Sequence, residues 1–315
     1  MVDMVVPKIL VATELSEGSD EVVQAAADLA RQVGAELHAV HALEEQGLPF
    51  VDRGFGLTAL QRRLAHARTT LEEQLARVAP SGVSLGTIKL EHLPAHEAIV
   101  RRAKELSADL IIVGPHRGLL RGSYLLGTTA QRVVQEASVP CLVTRGPMPW
   151  PWESVLLPVG AADVERGLLR TALRWIADFR REAMGNPIRD RCDVRILHVV
   201  RSANDWRDFS PVLARGIREA AEIPEVEARL RLRRAVAWSR AVGDEIVRIA
   251  EGSRVDVVAM GVCERGPLLH AALGSVSSSV LRRSSVPVVL FPPRLSAKLE
   301  YQAKVIAFPG RLAAR

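Results

Sequence analysis

One segment of this sequence occurs twice. Residues 255–291 (VDVVAMGVCERGPLLHAALGSVSSSVLRRSSVPVVLF) repeat the pattern of residues 108–144 (ADLIIVGPHRGLLRGSYLLGTTAQRVVQEASVPCLVT). The two copies align at a constant shift of 147 positions, which pairs Gly114 with Gly261, Gly127 with Gly274 and Pro140 with Pro287. A repeat of this length predicts two copies of one domain.

Both copies contain the same local arrangement. An apolar run ends at a glycine, a glycine-containing loop follows, and a Gly-Thr or Gly-Ser pair precedes a segment with helical periodicity. In α/β proteins the loop between a strand and the start of the next helix is a common place for a bound phosphate. The repeat therefore points to two related anion sites.

Short apolar runs alternate with segments of helical periodicity along the first half. The predicted strands are 8–12, 36–43, 84–90, 110–113 and 140–144. In the second half, strands are predicted at 155–159 and 195–200, with one helix over 164–179 between them. This alternation predicts the α/β class: two tandem, doubly wound, five-stranded parallel sheets with helices on both faces.

The stretch GPMPWPWE divides the chain. Its three prolines and its glycine cannot sustain a helix or a central strand. We expect a first domain over residues 1–145, a linker over 146–153, a second domain over 154–293 and a C-terminal tail over 294–315. A chain of 315 residues has room for about two domains of roughly 150 residues.

Composition argues against two classes of partner. The net charge is +6, but arginines are dispersed along predicted helices and aromatic residues make up only 4% of the chain, so we expect no nucleic-acid partner. The apolar runs are far shorter than the roughly 20 residues that cross a bilayer, so we expect no membrane association. Three scattered cysteines and the lack of an export signal predict reduced thiols in the cytoplasm.

Both halves resemble a known family. The segments KILVATELSEGS, ELHAVHAL and LPAHEAIVRRAKELSADLIIVG, followed by the loop and helix over 114–140, look like a universal stress protein domain. The resemblance covers roughly residues 6–145 and 153–293. It implies a Rossmann-like fold of the adenine-nucleotide-alpha-hydrolase-like type, a stress-response role, and ATP or another adenine nucleotide as ligand, with Mg accompanying the nucleotide.

The first half keeps part of the family's nucleotide motif. ATP-binding members have a glycine after the fourth strand, two residues, a second glycine, nine residues and then Gly-Ser or Gly-Thr. Here Gly114 and Gly127 have the right separation, but Arg117 stands at the second glycine position and Gly118 comes one place late. Glu14 stands where these members have an aspartate after the first strand.

The resemblance implies nucleotide contacts at the ends of the first, second and fourth strands, in the loop and at the start of the following helix. In the first half these positions are Ala12, Thr13, Glu14, Ala42, Val113, Gly114, His116, Arg117, Gly118, Gly127, Thr128 and Thr129.

The second half departs further from the motif. The corresponding positions are Gly261, Gly274, Ser275 and Val276. However, Glu264 occupies the middle glycine position, where its carboxylate would repel a polyphosphate, and Gly160 stands at the acidic position. We therefore expect nucleotide mainly in the first half.

Several first-half candidates also have ordinary structural interpretations. Thr128 with Gln131 has the spacing of a capping box, which would make it a helix cap alone. Glu14 could be a first-turn carboxylate that interacts with the helix dipole. Arg117 could clamp a phosphate or fill its space, and His116 could simply be solvated. These alternatives stay open at the level of sequence.

No catalytic or metal-binding constellation stands out. The sequence has no GxxxxGK[ST] loop and no GxSxG elbow. His38 and His41 are three apart on a strand and point to opposite faces, while His92 and His96 lack a third ligand. We expect no dedicated catalysis and no metal site within the protein; any ATP hydrolysis would be slow and incidental.

The last strand of each half, PCLVT and VPVVLF, is apolar and predicted at a sheet edge, where unprotected strands tend to pair. In proteins that this chain resembles, two domains join through these strands, which predicts pairing within the chain. A homodimer formed through the linker tryptophans or the tail is a further expectation. The leading hypothesis is a non-catalytic nucleotide-binding module; the alternative is a protein-interaction scaffold with degenerate sites.

Overall fold

The computed structural model describes residues 6–43, 56–79, 81–114, 116–117, 124–125, 127–180, 191–262, 273–293 and 295. Side chains are described throughout these ranges except at 56–60, 116–117 and 124–125.

The first half alternates strands and helices, as expected from the apolar pattern. Its elements in chain order are β1 (Lys8–Ala12), α1 (Glu17–Val33), β2 (Glu36–Ala42), α2 (Gly56–Val78), β3 (Ser84–Glu91), α3 (Ala95–Leu106), β4 (Leu110–Val113), the short β5 (His116–Arg117) and β6 (Tyr124–Leu125), α4 (Thr128–Glu136) and β7 (Cys141–Val143).

The second half repeats this order with one additional break in each of its first two helical connections. Its elements are β8 (Ser154–Pro158), α5 (Ala161–Glu165), α6 (Leu168–Phe179), β9 (Cys192–Val200), α7 (Ala203–Ala221), α8 (Pro224–Arg229), β10 (Leu230–Trp238), α9 (Val242–Gly252), β11 (Val257–Gly261), α10 (Ser275–Arg283) and β12 (Val288–Phe291).

Ten strands form one continuous sheet in the order β10-β9-β8-β11-β12-β7-β4-β1-β2-β3. In this sheet all strand pairs within a half are parallel, whereas β12 and β7 pair antiparallel with Leu142 opposite Val289. The two last strands thus join the halves, and the strand order is the same in each half when counted outward from this junction. This confirms the predicted doubly wound α/β fold with two five-stranded repeats.

Burial explains why the central strands are apolar along their whole length. All four residues of β4 (LIIV) and of β12 (VVLF) are buried, because helices cover both faces of a parallel sheet. Helix α1 buries Val22, Ala26 and Leu29, which recur at helical spacing. The core therefore consists of one layer on each side of the sheet.

The first helical connection of the second half differs from the prediction. The single helix predicted over 164–179 is wrong, since α5 and α6 are separate helices. Gly167 lies between them with φ +72°, a left-handed conformation that glycine adopts without steric cost and that interrupts a right-handed helix. At its other end, helix α5 starts directly after Gly160, close to the end of β8.

The linker aromatics pack inside the chain. Trp152 is fully buried, with its ring centroid 5.1 Å from that of Trp150 and 5.7 Å from that of Phe179. Trp175 stacks on Phe179 and meets Phe291 of β12 edge to face. The expectation that the linker tryptophans serve association between copies is therefore wrong for Trp152, whose ring fixes the linker against α6.

The junction between the halves also uses polar and loop contacts. Arg145, just after β7, donates from its guanidinium to the carbonyl oxygens of Ser284 and of Leu281, the latter at 2.7 Å, near the C-terminal end of α10. Strand β6, which pairs with β5, lies beside α10. Strand β6 of the first half is therefore in contact with the second half.

Among the described helices, none combines the length and the apolar character that crossing a membrane requires. Of the predicted tail, Leu295 is buried against the core. Residues 296–315 lie outside the described part of the chain.

Candidate functional site

The topology places a crevice at the carboxyl ends of β1 and β4. These strands are neighbours, with Val11 opposite Ile112. From β1 the chain proceeds outward to β2 and β3, whereas from β4 it proceeds in the other direction to β7. Ligands of doubly wound sheets bind where the strand order reverses in this way.

Six predicted contact residues surround this crevice. Ala12 and Val113 end the two central strands, Thr13 and Glu14 follow β1, Gly114 follows β4, and Ala42 ends β2 beside β1. Thr13 and Val113 are buried, Ala12, Ala42 and Gly114 are half-buried, and Glu14 is exposed.

Thr13 is fixed in place by its own hydrogen bonds. Its N–H donates to the Val40 carbonyl at 3.1 Å, and its hydroxyl accepts from the N–H of Leu15 at 3.1 Å. Its carbonyl oxygen accepts from Nδ1 of His41 at 2.9 Å. Thr13 is thus a structural element of the crevice wall.

Glu14 is in a different situation. Within the described part of the chain its exposed carboxylate has no hydrogen bond and no ion pair. The helix begins only at Glu17, and its N-cap is Ser16. Glu14 therefore lies outside the first turn of α1, which disfavours the interpretation of this residue as a helix-dipole carboxylate.

Gly114 has a packing reason to be glycine. A Cβ built on it would lie 2.9 Å from Cγ2 of Val22 in α1, closer than real Cβ contacts. The close approach of α1 to the end of β4 thus explains this glycine without any ligand. It also narrows the crevice on the α1 side.

Helix α4 presents an open N-terminus. Gly127 is the N-cap, with φ −59° and ψ 154°, and as a glycine it has no side chain with which to cap the helix. The first backbone bond runs from the N–H of Gln131 to the carbonyl of Gly127 at 3.0 Å, so the preceding N–H groups have no acceptor within the helix. The first turn of α4 contains no acidic residue.

The sequence predicted two roles for Thr128, a helix cap and a phosphate contact. The capping-box interpretation is wrong, because Gly127 rather than Thr128 is the N-cap and Thr128 is the first helical residue, with an exposed side chain. Thr128 and the half-buried Thr129 lie in the first turn of α4, and their contact with a phosphate stays a prediction.

The loop between Gly114 and Gly127 is described only in part. His116 and Arg117 form β5, whose backbone pairs antiparallel with Tyr124 and Leu125 of β6. Gly118 lies outside the described residues. The predictions that His116, Arg117 and Gly118 contact a ligand therefore stay predictions.

In the second half, the chain's own side chains occupy the corresponding crevice. Asp163 of α5 accepts a hydrogen bond from the N–H of Gly160 at 2.8 Å, which places a carboxylate at the end of β8. A Cβ built on Gly261 would lie 3.1 Å from Oδ1 of Asp163 and would overlap Leu168. A bound phosphate at this position would face a fixed negative charge.

The helix start in the second half is itself open. Gly274 is the N-cap of α10, and a Cβ built on it would meet no atom within 4 Å. Ser275 is exposed and Val276 half-buried. Glu264 lies outside the described residues. The difference between the halves is therefore at the end of the first strand and not at the helix N-terminus.

The described residues offer little for catalysis. They contain no group of three or more His, Cys, Asp or Glu side chains placed to hold a metal ion. Both described thiols are buried, and burial raises the pKa of Cys192 to about 12 and that of Cys141 further. A thiol with so high a pKa is not nucleophilic at neutral pH.

Comparison with known proteins agrees with the fold and the repeat. The sequence profile of the Universal stress protein family matches residues 6–145 and 155–292. The chain therefore belongs to the universal stress protein family and carries its domain twice.

Three proteins illustrate the similarity. A universal stress protein of Methanocaldococcus jannaschii is 32% identical over 145 residues, which are 44% of this chain and 82% of that protein. One from Thermus aquaticus is 39% identical over 138 residues, covering 41% of this chain and 93% of that protein. The crystal structure of a universal stress protein from Archaeoglobus fulgidus superposes with a TM-score of 0.61 at 19% identity, over 90% of this chain and 96% of that one, which supports the fold.

Sequence reasoning missed the residues that shape the two crevices. Asp163 and Leu168 in the second half, and Gln74 in the first, were not singled out. The shift of 146 between Ile9 and Val155 would have aligned Leu168 with Val22 and Asp163 with Glu17. It would not have indicated that the second helix starts earlier and turns Asp163 inward.

Proposed function

We propose that this universal stress protein binds ATP or another adenine nucleotide, mainly in its first half, as a cytoplasmic stress-response module without dedicated catalysis. Universal stress proteins are generally not classical enzymes. Mg²⁺, where required, would accompany the triphosphate.

The observation that carries this proposal is the contrast between the two crevices. In the first half the glycine-capped N-terminus of α4 has no carboxylate in its first turn, and the exposed carboxylate of Glu14 has no hydrogen bond or ion pair to any described residue. In the second half the carboxylate of Asp163 already accepts the N–H of Gly160 and lies against Gly261. Among the described residues, the first half therefore offers backbone phosphate donors without a carboxylate fixed between the strand ends, and the second half does not.

Charge sets the orientation of a ligand in the first half. The N–H groups at the start of α4 and the positive end of its dipole attract phosphate oxygens. The carboxylate of Glu14 repels phosphate but accepts hydrogen bonds from hydroxyl and amino groups, which the nucleoside carries. We therefore place the phosphates over α4 and the nucleoside over β1 and β2.

The experiment is analysis of ligands released from the purified, denatured protein by mass spectrometry, together with a thermal-shift titration with ATP. Co-purified ATP, ADP or AMP, or a Tm that rises with ATP concentration, supports the proposal. A protein that contains no nucleotide and whose Tm is insensitive to millimolar ATP contradicts it.

The alternative is a scaffold of the same fold that acts through protein contacts alone. It is favoured by Val22 in the first half, which packs against Gly114 and narrows the crevice just as Leu168 does against Gly261. Under this alternative, neither half binds nucleotide. The crevice of the first half would then be closed to ligand by the chain's own side chains, as the crevice of the second half is by Asp163 and Leu168. A homodimer stays a prediction under either function.

A further inference from the structure

A buried glutamine of α2 forms hydrogen bonds with the segment that connects β1 to α1. Gln74 is only 2% exposed. Its Oε1 accepts from the Thr13 hydroxyl at 2.8 Å, and its Nε2 donates to Ser19 Oγ at 3.0 Å and to Asp20 Oδ1 at 2.7 Å. Both ends of the amide are thus engaged with the segment that contains Glu14.

The Thr13 hydroxyl, which is held by Gln74, also bonds to the backbone of the β1–α1 turn. The Thr13 hydroxyl accepts the N–H of Leu15 at 3.1 Å, and Leu15 has φ +60°. A left-handed conformation costs a residue with a Cβ about 1–2 kcal/mol and persists only where neighbouring contacts hold it. The bond between Leu15 and Thr13 is such a contact, and Glu14 is the residue between them.

The far side of this network is anchored by a charge pair. Asp20 accepts from Gln74 and, in a bidentate arrangement, from the guanidinium of Arg77, with Oδ2 2.8 Å from one Arg77 nitrogen. Arg77 lies one helical turn after Gln74 on α2, so both donors come from the same face of one helix.

The second half lacks this arrangement. Val159 stands at the position of Thr13 and has no hydroxyl, and α5 begins directly after Gly160 with Asp163 turned inward. Among the described residues, the turn that leaves an acidic side chain without a hydrogen bond or ion pair occurs in the half where we propose that the nucleotide binds.

We propose that Gln74 is a positioning residue: through Thr13 it holds the β1–α1 turn in the conformation that presents the Glu14 carboxylate to the nucleoside part of the ligand. This role rests on the proposed function. It differs from a merely structural role, in which Gln74 would tie α1 to α2 and affect stability without acting through Glu14.

The test compares the affinity for labelled ATP among full-length variants. Gln74→Leu removes the three hydrogen bonds of Gln74 and should weaken binding about threefold to tenfold, the range expected for loss of one hydrogen bond between Glu14 and the ligand. Glu14→Gln should also weaken binding. The double variant should bind no worse than Glu14→Gln alone, because Gln74 acts through Glu14. Gln24→Leu is the matched control, since the hydrogen bond described for Gln24 is to Asp28 within the same helix.

A second variant and a second measurement guard against misfolding. Thr13→Val installs the second half's residue and removes one hydroxyl, and it should show the same non-additivity with Glu14→Gln. Amide hydrogen exchange of residues 13–17 should accelerate in Gln74→Leu but not in Gln24→Leu.

The outcomes separate the two proposals. If wild-type protein binds ATP and the losses from Gln74→Leu and Glu14→Gln add in full, or if Gln74→Leu binds like wild type, the positioning role is overturned and the nucleotide site stands. If wild-type protein binds no adenine nucleotide, the proposed function is overturned and the positioning role with it.

Discussion

Nδ1 of His41 lies 2.9 Å from the carbonyl oxygen of Thr13, and the same contact recurs in the second half, where Nδ1 of His198 lies 2.9 Å from the carbonyl oxygen of Val159. In both halves the second strand is tied to the end of the first. Because a carbonyl oxygen only accepts, Nδ1 is the protonated ring nitrogen in each histidine.

We therefore predict the Nδ1–H tautomer for neutral His41 and His198, measurable from ¹⁵N chemical shifts at about pH 8, above the usual histidine pKa. His38 is the internal control, because its Nδ1 accepts the N–H of Thr87 at 2.9 Å and must carry its proton on Nε2. Finding the same tautomer in His38 and His41 would contradict the assignment.

Gly127→Glu should weaken ATP binding at least about tenfold, a loss of about 1.4 kcal/mol, because it places bulk and negative charge at the start of α4. The fold should be retained, since φ −59° and ψ 154° suit any residue and a carboxylate near a helix N-terminus is favourable. Isothermal titration calorimetry with ATP measures the effect.

Gly274→Glu is the matched control for that change. Gly274 has nearly the same backbone angles, φ −53° and ψ 148°, at the start of α10. If the first half is the main site, this variant should bind ATP within about twofold of wild type. Equal losses from the two substitutions would mean that both halves bind equally.

The stability of the fold should fall as the pH drops below about 6.5, partly because of His38. Burial, opposed by the carboxylate of Glu36 and reinforced by the charge of Arg102, holds the pKa of His38 below its usual value. At low pH the unfolded chain therefore binds more protons than the folded chain. The contribution of His38 to the free energy of unfolding is complete above the usual histidine pKa, and it is lost as the pH falls through the pKa of His38 in the folded protein.

The measurement is the urea midpoint between pH 8 and pH 5 for wild type and His38→Gln. One group changes the free energy of unfolding by at most about 1.4 kcal/mol per pH unit, and the variant should show a shallower slope than wild type below about pH 6.5. Identical slopes would exclude His38 as a contributor.

Trp152→Ala should lower the free energy of unfolding by about 3–5 kcal/mol, the usual cost of removing a buried tryptophan. Its ring is fully buried between Trp150 and Phe179. Trp238→Ala provides the comparison, since that side chain is 59% exposed and should change stability by no more than about 0.5 kcal/mol. Similar losses in chemical denaturation would mean that the linker cluster is not part of the core.

Cys141 and Cys192 should not react with a thiol reagent such as DTNB at pH 8 while the protein is folded, because both are buried and have raised pKa values. The measurement uses a Cys263→Ser background, so that only these two thiols are counted. Both should react once the protein is denatured in guanidinium. Rapid reaction in the native state would show that these strands open readily.

The fold followed from the sequence because its determinants are local and repeated. The all-apolar run Leu110–Val113 between turn signals is typical of a central strand, and the constant shift between Gly114 and Gly261 located the second copy. The break at Gly167 was missed, since a glycine within a helical pattern is usually tolerated and only the backbone angle shows that it ends a helix.

The candidate site could be predicted only in part. The strand ends and helix starts lie where the motif spacing placed them, because topology brings these ends together. Gln74 and Asp163 act through contacts between elements far apart in sequence or through an early helix start, and neither leaves a signal in the spacing of residues.

The antiparallel contact between β7 and β12 has a geometric consequence for regulation. Strands of the two halves point in opposite directions, so the two crevices open at opposite poles of the molecule. Under the proposed function, a partner that recognises nucleotide in the first half would dock at one pole without contacting the pole formed by the second half. The pole of the first half would then change with the bound ligand, while the pole of the second half would keep the same surface.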